Sequence, residues 1–205
     1  MNLNHSQFKA GLLSPLEPVF PDSNSLKFKN SYTSHIPTNS VAEVLIIIRS
    51  DLGKKVSFNH KTKNLAKINW ELISSVPVEQ NTGLDSRTEQ FKGITNPHVI
   101  RRAPFDIYEV IHPLKKNSFK VKNKYSLLRL SISPVDLKYN QDQHVEITLK
   151  EDDKFEEKLF FKIKVYKTSV PKLNESKFFY TNWFNLSRME EKHKLIRWSK
   201  NWFDM

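Results

Sequence analysis

Two acidic clusters are the first candidates for chemistry in this sequence. Glu151, Asp152 and Asp153 are consecutive, and Glu156 and Glu157 follow after two intervening residues. Two carboxyl groups that face one sugar across a cleft can hydrolyse a glycosidic bond. These clusters instead fall in a polar turn and its flank, where solvated charge is typical. We therefore predict that neither cluster is catalytic.

Groups that could bind a metal or a phosphate are dispersed along the chain. None of the seven histidines forms a His-x-His or His-x-x-x-His pair with metal-ligand spacing. The four glycines are too far apart for a phosphate-cradling loop, and no Gly-x-Ser-x-Gly motif occurs. The absence of cysteine excludes disulfides and thiolate metal sites. We predict no metal site and no cofactor, whereas the sequence leaves a Ser-His-Asp triad open.

The chain is basic, with a formal net charge of +11 over 205 residues. This balance suits either a nucleic-acid or anionic partner, or a lysine-rich surface in contact with solvent. The lysines form no tract, which favours the second interpretation. The first residues lack the apolar stretch of a signal peptide, and no apolar run could span a bilayer. We expect a cytoplasmic protein without membrane contact.

Apolar residues with a period of two dominate the middle of the chain. The clearest pair of runs flanks the acidic turn: Val145, Ile147 and Leu149, then Leu159, Phe161, Ile163 and Val165. This period is typical of half-buried strands, so the two runs predict a hairpin whose apolar residues face the core.

Further strands are predicted over residues 56–58, 68–73, 105–111 and 128–132, together with a central strand over 41–49 that is apolar on both faces. We therefore predict a mainly β fold, a two-layer antiparallel β-sandwich with a short C-terminal βα fragment. The sandwich domain covers residues 1–172. Its first forty residues are rich in proline and are expected to run extended along the surface.

Residues 173–205 are predicted to be a linker followed by the first βα unit of a truncated TIM barrel. Residues 178–184 are aromatic and strand-like. Ser187 and Glu190 then form a capping box, in which each side chain can satisfy a backbone N–H of the first helical turn.

Leu195, Trp198 and Trp202 would form one apolar face of the helix that follows. A lone βα unit cannot bury such a face. The unit either docks on the sandwich or, as we favour, opens a barrel. Exposure of the face would also permit self-association.

Segments in both parts of the chain share a pattern with one known family. They are residues 14–22, which read Ser-Pro-Leu-Glu-Pro-Val-Phe-Pro-Asp, residues 77–83, 101–106, 179–184 and 193–199, and Trp202. In order and spacing they resemble glycoside hydrolase family 123 and its uncharacterised relatives. The resemblance implies a β-sandwich followed by a TIM barrel, and we expect this chain to reach only the first barrel helix.

The resemblance also implies an activity, the removal of terminal N-acetylgalactosamine. The family uses an adjacent Asp-Glu pair and the acetamido group of the substrate. That carboxylate pair lies well into the barrel, and no residue of this chain corresponds to it. The chain also departs from the pattern after Phe184, where relatives often have a histidine. We therefore expect a non-catalytic N-terminal accessory domain with no catalytic residue and no activity alone, whose partner is the barrel.

Tyr180, Asn182 and Trp183 are candidates for carbohydrate contact. They would lie at the C-terminal end of the first barrel strand, the end at which barrel active sites are built. Tryptophan offers a flat face to a sugar ring, and asparagine offers a donor and an acceptor. The structural alternative is that Trp183 packs between barrel and sandwich.

Two other functions remain open. A free-standing carbohydrate-binding module would need two or more aromatic side chains exposed on one face, and the candidates are Trp70, Tyr125, Tyr139 and Tyr166. A basic nucleic-acid-binding domain would need lysines clustered on one face and an affinity that falls steeply with salt. We rank the nucleic-acid function last, because only the net charge suggests it.

Overall fold

The structure is a computed structural model that describes residues 8–23, 26–63, 68–80, 99–132, 142–170, 186–194 and 196–203. The chain divides into two compact units, Met1–Val170 and Pro171–Met205. In the described part of the chain, the first unit is built of strands and the second has two short helices. No helix among the described residues is long and apolar enough to cross a membrane.

The strands of the first unit form two five-stranded sheets, which confirms the mainly β fold. In chain order the strands are β1 (Lys9–Leu13), β2 (Ser31–Thr38), β3 (Ala42–Arg49), β4 (Lys55–Thr62), β5 (Ile68–Val78), β6 (Phe105–Pro113), β7 (Ser118–Lys120), β8 (Tyr125–Ile132), β9 (Gln143–Glu151) and β10 (Phe155–Ser169). Sheet 1 has the strand order β1-β3-β8-β5-β6, and sheet 2 has the order β2-β10-β9-β4-β7.

The predicted hairpin is confirmed as the antiparallel pair β9 and β10. Its turn places Asp152 and Asp153 in the left-handed region, with φ values of 45° and 58°. Aspartate tolerates this region better than most residues, because its short side chain can hydrogen-bond locally. The side chains predicted to face the core are all buried: Ile147, Leu149, Phe161, Ile163 and Val165.

Buried side chains form two clusters, one on each face of sheet 1. The larger cluster fills the space between the sheets and includes Val44, Ile46 and Ile48 of β3. The smaller cluster lies on the outer face of sheet 1 and includes Leu45 and Ile47 of the same strand. Strand β3 is thus covered on both faces, as its unbroken apolar run predicted.

The chain between β1 and β2 supplies the cover for the outer face of sheet 1. Val19, Leu26 and Phe28 pack against the smaller cluster. A Cβ atom added to Gly11 would lie 2.6 Å from the Cα of Phe28, so only glycine leaves room for this contact. The backbone N–H of Leu12 also donates to the carbonyl of Lys29 at 2.7 Å, which fixes the segment against β1.

Two strands within the first forty residues correct the prediction of an extended lead-in along the surface. Strand β1 pairs antiparallel with β3 and is buried over residues 10–13. Strand β2 pairs with β10 in parallel, from Ser31 opposite Phe160 to Ile36 opposite Val165. Strand β1 has only five residues and β2 is mostly polar, so neither shows clear apolar alternation. The prolines that suggested an irregular chain lie mostly between them. Parallel pairing is possible because no tight turn joins β2 to β10.

The second unit contains α1 (Leu186–His193) and α2 (Lys200–Phe203). The prediction of a single helix with Trp198 and Trp202 on one face is wrong. The chain leaves the helical region at Lys194, with a φ of 51°, and at Trp198, with a φ of 66°. Trp198 is 63% exposed and Trp202 is buried, although their rings lie 6.2 Å apart.

Other predictions for the tail fall outside the described residues. They concern Leu195, the strand at 178–184 and the side chain of Ser187 in the capping box. Within the described part, the backbone N–H of Trp202 faces the hydroxyl of Ser199 at 3.3 Å, the position of a capping residue before α2.

Candidate functional site

The predicted carbohydrate-contact residues Tyr180, Asn182 and Trp183 lie outside the described residues, as does Tyr139. Their role stays a prediction. Candidate sites can therefore be built only from the sandwich and the two helices.

Two of the aromatic residues proposed for stacking on a ligand are core residues. Tyr125 is buried in the cluster on the outer face of sheet 1. Trp70 is buried between the sheets, 4.4 Å from the ring of Phe58, and its indole N–H faces Nδ1 of His60 at 3.3 Å. The stacking prediction is wrong for both. Trp70 faces the space between the sheets, and Tyr125 faces the covered outer side of sheet 1.

Tyr166, by contrast, is exposed on the outer face of sheet 2, with 51% of its surface accessible. Its hydroxyl and Nδ1 of His35 are 2.6 Å apart, and the two rings stack at 5.7 Å. The pair joins β10 to its parallel neighbour β2. The two stacked rings form an exposed aromatic surface on the outer face of sheet 2.

A cleft of about 740 Å³ lies where β4, β9 and β10 meet. Its lining includes Lys61, Lys63, Asp142, His144, Glu146, Phe160 and Lys162. Phe160 is 49% exposed, because it occupies the outward phase of β10 between the buried Leu159 and Phe161. An aromatic residue in the polar phase of an alternating strand is the signal by which the sequence could have identified this site.

Strand register sets the neighbours of Phe160. Glu146 lies directly opposite it on β9, and Lys61 lies opposite Glu146 on β4. One step along the sheet, His144 lies opposite Lys162. Directly opposed side chains have Cβ atoms about 5 Å apart. A half-exposed aromatic ring is therefore surrounded by groups of both charges.

Asp142 and Lys162 form an ion pair at the edge of the cleft, with Nζ 2.6 Å from Oδ2. This hydrogen bond, helped by the charges of Lys162, Lys164 and His144, holds the pKa of Asp142 below its usual value. Asp142 thus remains an ionised acceptor at neutral pH.

The outer face of sheet 2 is basic as a whole. Strand alternation places seven lysines on it: Lys55, Lys61, Lys120, Lys150, Lys158, Lys162 and Lys164. The acidic residues of these strands on the same face are Glu146 and Glu156, and Glu156 is shared between Lys150 at 3.3 Å and Lys158 at 3.6 Å. Seven lysines that are scattered in the sequence therefore share one surface.

The acidic turn is mainly structural, which corrects the prediction of solvated charge for one of its residues. Glu151 is only 2% exposed, and the hydroxyl of Ser50 donates to its carboxylate at 2.5 Å. Asp152 accepts from Lys54 Nζ at 2.8 Å and from the backbone N–H of Lys55 at 3.0 Å. These bonds tie the β9–β10 turn to the connection between β3 and β4. Among the described residues, no three His, Cys, Asp or Glu side chains could hold a metal ion together.

Two segments that carry the family resemblance meet in space. Arg101 donates to both carboxylate oxygens of Asp22, with Nη1 2.6 Å from Oδ1. Its guanidinium also lies 4.8 Å from the ring of Phe20 and 5.3 Å from that of Phe105. The hydrogen bond from Arg101 lowers the pKa of Asp22. Residues 14–22 and 101–106 therefore form one cluster, although the sequence separates them widely.

No protein-family model matches the sequence, and no curated protein sequence does. Among solved structures, the chain is similar to a family 123 glycoside hydrolase from Clostridium perfringens, studied for glycolipid glycan hydrolysis. The TM-score is 0.61 and the identity is 11%, over 82% of this chain and 29% of the hydrolase. The likeness shows a shared fold, and this chain spans 29% of the length of the hydrolase chain.

A PapD-like domain of human CEP192 also matches, with a TM-score of 0.32 and 8% identity over 83% of this chain and 99% of that domain. A likeness at this level says nothing about function.

Proposed function

We propose that this chain is the non-catalytic N-terminal accessory domain of a glycoside-hydrolase-like protein, and that it supports a (β/α)8 barrel following its second unit. The observation that carries this proposal is the fold shared with part of a family 123 glycoside hydrolase. The segments that resemble the same family also support it, and two of them meet through Arg101 and Asp22. The barrel would be the main partner of the domain.

The chain alone is proposed to lack hydrolase activity. In its acidic turn, Glu151 and Asp152 are engaged by Ser50, Lys54 and Lys55 rather than directed at a common ligand. The carboxylate pair that the family resemblance implies has no counterpart in this sequence. The purified chain should not release sugar from a chromogenic N-acetylgalactosaminide. Turnover that disappears on substitution of a residue in this chain would contradict the proposal.

The coding sequence that follows Met205 in the genome tests the accessory role. A reading frame that continues through alternating strands and helices supports it. The longer protein should then show far more helix by circular dichroism than this chain does. A genomic stop codon directly after Met205 would contradict the proposal.

Removal of residues 177–205 tests whether the second unit belongs to a barrel. Trp198 is largely exposed, and an exposed tryptophan next to other apolar groups favours association. If the surface around Trp198 packs against a barrel in a longer protein, the shortened chain should keep its melting temperature. It should also lose any self-association seen by light scattering. A sharply lower melting temperature would instead assign the second unit to the sandwich core.

We further propose carbohydrate binding at the cleft around Phe160, a function that needs no barrel. Phe160 lines the cleft, and Tyr166 is a second half-exposed aromatic residue on the same face, further along β10 and outside the lining of the cleft. The face therefore has the two exposed aromatic residues that a carbohydrate-binding module requires. Screening the full chain and its Phe160→Ala variant on a glycan array tests this function. Binding of the parent that the variant loses supports it, whereas equal binding or none contradicts it.

A further inference from the structure

We propose that the cleft around Phe160 selects an acidic saccharide, a sugar that bears a sulfate or carboxylate group. This inference rests on the proposed carbohydrate binding at the same cleft, and it names the class of ligand. It arises from three features of the described residues: a half-exposed ring, groups of both charges around it, and a surplus of lysine.

The ring of Phe160 supplies a platform for the apolar face of a sugar. About half of its surface is accessible, although Leu159 and Phe161 on either side of it are buried. The neighbouring outward positions of β10 hold Lys158 and Lys162, so a phenylalanine between them exposes apolar area on a charged part of the strand. Contact with the C–H face of a pyranose ring would cover that area.

Acidic groups at the cleft distinguish a sugar from a nucleic acid. Glu146 lies opposite Phe160, and Asp142 is held ionised beside Lys162. These carboxylates accept hydrogen bonds from sugar hydroxyls. They would repel the continuous phosphates of a nucleic-acid strand. Of the two kinds of anion that a basic face could attract, a saccharide with one acid group therefore fits better than a polyphosphate strand.

Lysine gives the cleft its preference for an acid group. Lys61, Lys63 and Lys162 line it, against Asp142 and Glu146. Lys162 is paired with Asp142, whereas Lys61 has no ion-pair partner among the described residues. The surrounding face adds further lysines. A single sulfate or carboxylate would therefore find its counter-charge at Lys61, at the β4 side of the ring.

The volume of the cleft suits a small ligand. Its volume of about 740 Å³ falls within the range of roughly 300–1,000 Å³ that is typical of small-ligand pockets. A mono- or disaccharide fits this space.

Titration of the isotope-labelled full chain, followed by amide chemical shifts, tests the preference with matched probes. The first pair is N-acetylgalactosamine and its 6-sulfate, and the second is galactose and galacturonic acid. An oligothymidylate serves as the nucleic-acid probe. We expect each acidic sugar to bind roughly tenfold more tightly than its neutral partner, the effect of one charge-assisted hydrogen bond. The shifted amides should belong to β4, β9 and β10.

Single substitutions distinguish the contribution of the Phe160 ring to binding from that of the Lys61 charge. Phe160→Ala should weaken both members of each sugar pair, and Lys61→Gln should remove only the preference for the acidic member. Phe155→Ala and Lys158→Gln are the matched controls, since both residues are exposed on β10 and neither lines the cleft. All four positions are exposed, so the variants should fold, and melting curves verify this.

The outcomes distinguish the two levels of the proposal. Equal affinity for neutral and acidic sugars, lost in Phe160→Ala, overturns the acidic preference and leaves carbohydrate binding intact. No binding of any sugar overturns both. Tighter binding of the oligothymidylate, with steep salt dependence and no effect of Phe160→Ala, would show that the face is a nucleic-acid surface and would also overturn both.

Discussion

The outer faces of the two sheets differ sharply, although both belong to one sandwich. The outer face of sheet 1 carries apolar residues such as Leu45, Ile47 and Leu127, and the chain between β1 and β2 covers it. The outer face of sheet 2 carries lysines and two half-exposed aromatic residues, Phe160 and Tyr166. One sheet therefore has two buried faces and the other has one.

This difference shows how the alternation of a strand reports its surroundings. Strand β10 alternates because only its inward face is buried, whereas β3 is apolar in both phases because a second layer lies over it. In a sheet with one free face, an apolar residue in the polar phase is the exception. Phe160 is such an exception, so it is where a ligand is expected, and the equally apolar Ile47 is not.

The largest expected effect on stability comes from truncating a buried side chain in the apolar layer on the outer face of sheet 1. Ile47→Ala should cost about 2–5 kcal/mol of stability, as much as Ile163→Ala between the sheets, because both side chains are fully buried and leave cavities. Thr148→Ala on the outer face of sheet 2 should change stability by no more than about 0.5 kcal/mol. Urea denaturation measures all three. A neutral Ile47→Ala would mean that the covering layer is not a core.

Displacing the segment between β1 and β2 should reduce stability less than creating a cavity in the apolar layer beneath it. In Gly11→Ala the new methyl group would meet the backbone of Phe28 and Lys29 at 2.6 and 2.9 Å, so the segment must move. Overpacking of this kind costs about 1–3 kcal/mol. Limited proteolysis should show new cleavage in residues 26–30. Gly53→Ala is the control: its methyl group meets no neighbour within 4 Å, but its φ of 82° strains any residue with a side chain. This variant should lose stability through its own turn and leave the cleavage pattern in residues 26–30 unchanged.

The cluster around Arg101 should have a smaller effect, because its members are partly exposed. Arg101→Lys keeps the charge but loses the two-pronged bond to Asp22 and the flat contact with Phe20. We expect a slightly lower melting temperature and faster proteolysis in residues 14–23. Asp22→Asn should behave in the same way. Unchanged proteolysis in both variants would show that the cluster does not hold the cover in place.

Much of the fold could be predicted from the sequence, because alternation is a local signal. The β9–β10 hairpin was predicted from its alternation, and the doubly buried β3 from an apolar run without alternation. Strands β1 and β2 were not, since five residues without alternation and a polar edge strand look like loop. The parallel pairing of β2 with β10 depends on contacts between distant parts of the chain, and no local pattern encodes those.

The candidate site was harder to predict than the fold. The sequence directed attention to Tyr180, Asn182 and Trp183 through the family resemblance, and those residues are outside the described structure. The cleft at Phe160 assembles residues from three strands, so its charges are recognisable only once the register is known. The burial of Glu151 was missed for a similar reason, since Ser50 is about a hundred positions away in sequence.

The smallest expected effect concerns the inner faces, where the two sheets are most alike. His60 of sheet 2 accepts the indole N–H of Trp70 of sheet 1 at Nδ1, and burial lowers the pKa of His60 below 6.5. The unfolded chain then binds more protons than the folded chain in the window just below pH 6.5. Stability from this contact should be complete above that pH and decline as the pH falls through the window. Urea midpoints between pH 5 and 8 measure how the stability changes with pH.

Two histidine variants separate this contact from other titrating groups. His60→Gln, which does not titrate, should flatten the pH dependence, and His112→Gln on the exposed end of β6 should not. If His60→Gln retains the slope of the parent chain, the pH dependence arises elsewhere, and the contact between the inner faces does not depend on a neutral imidazole.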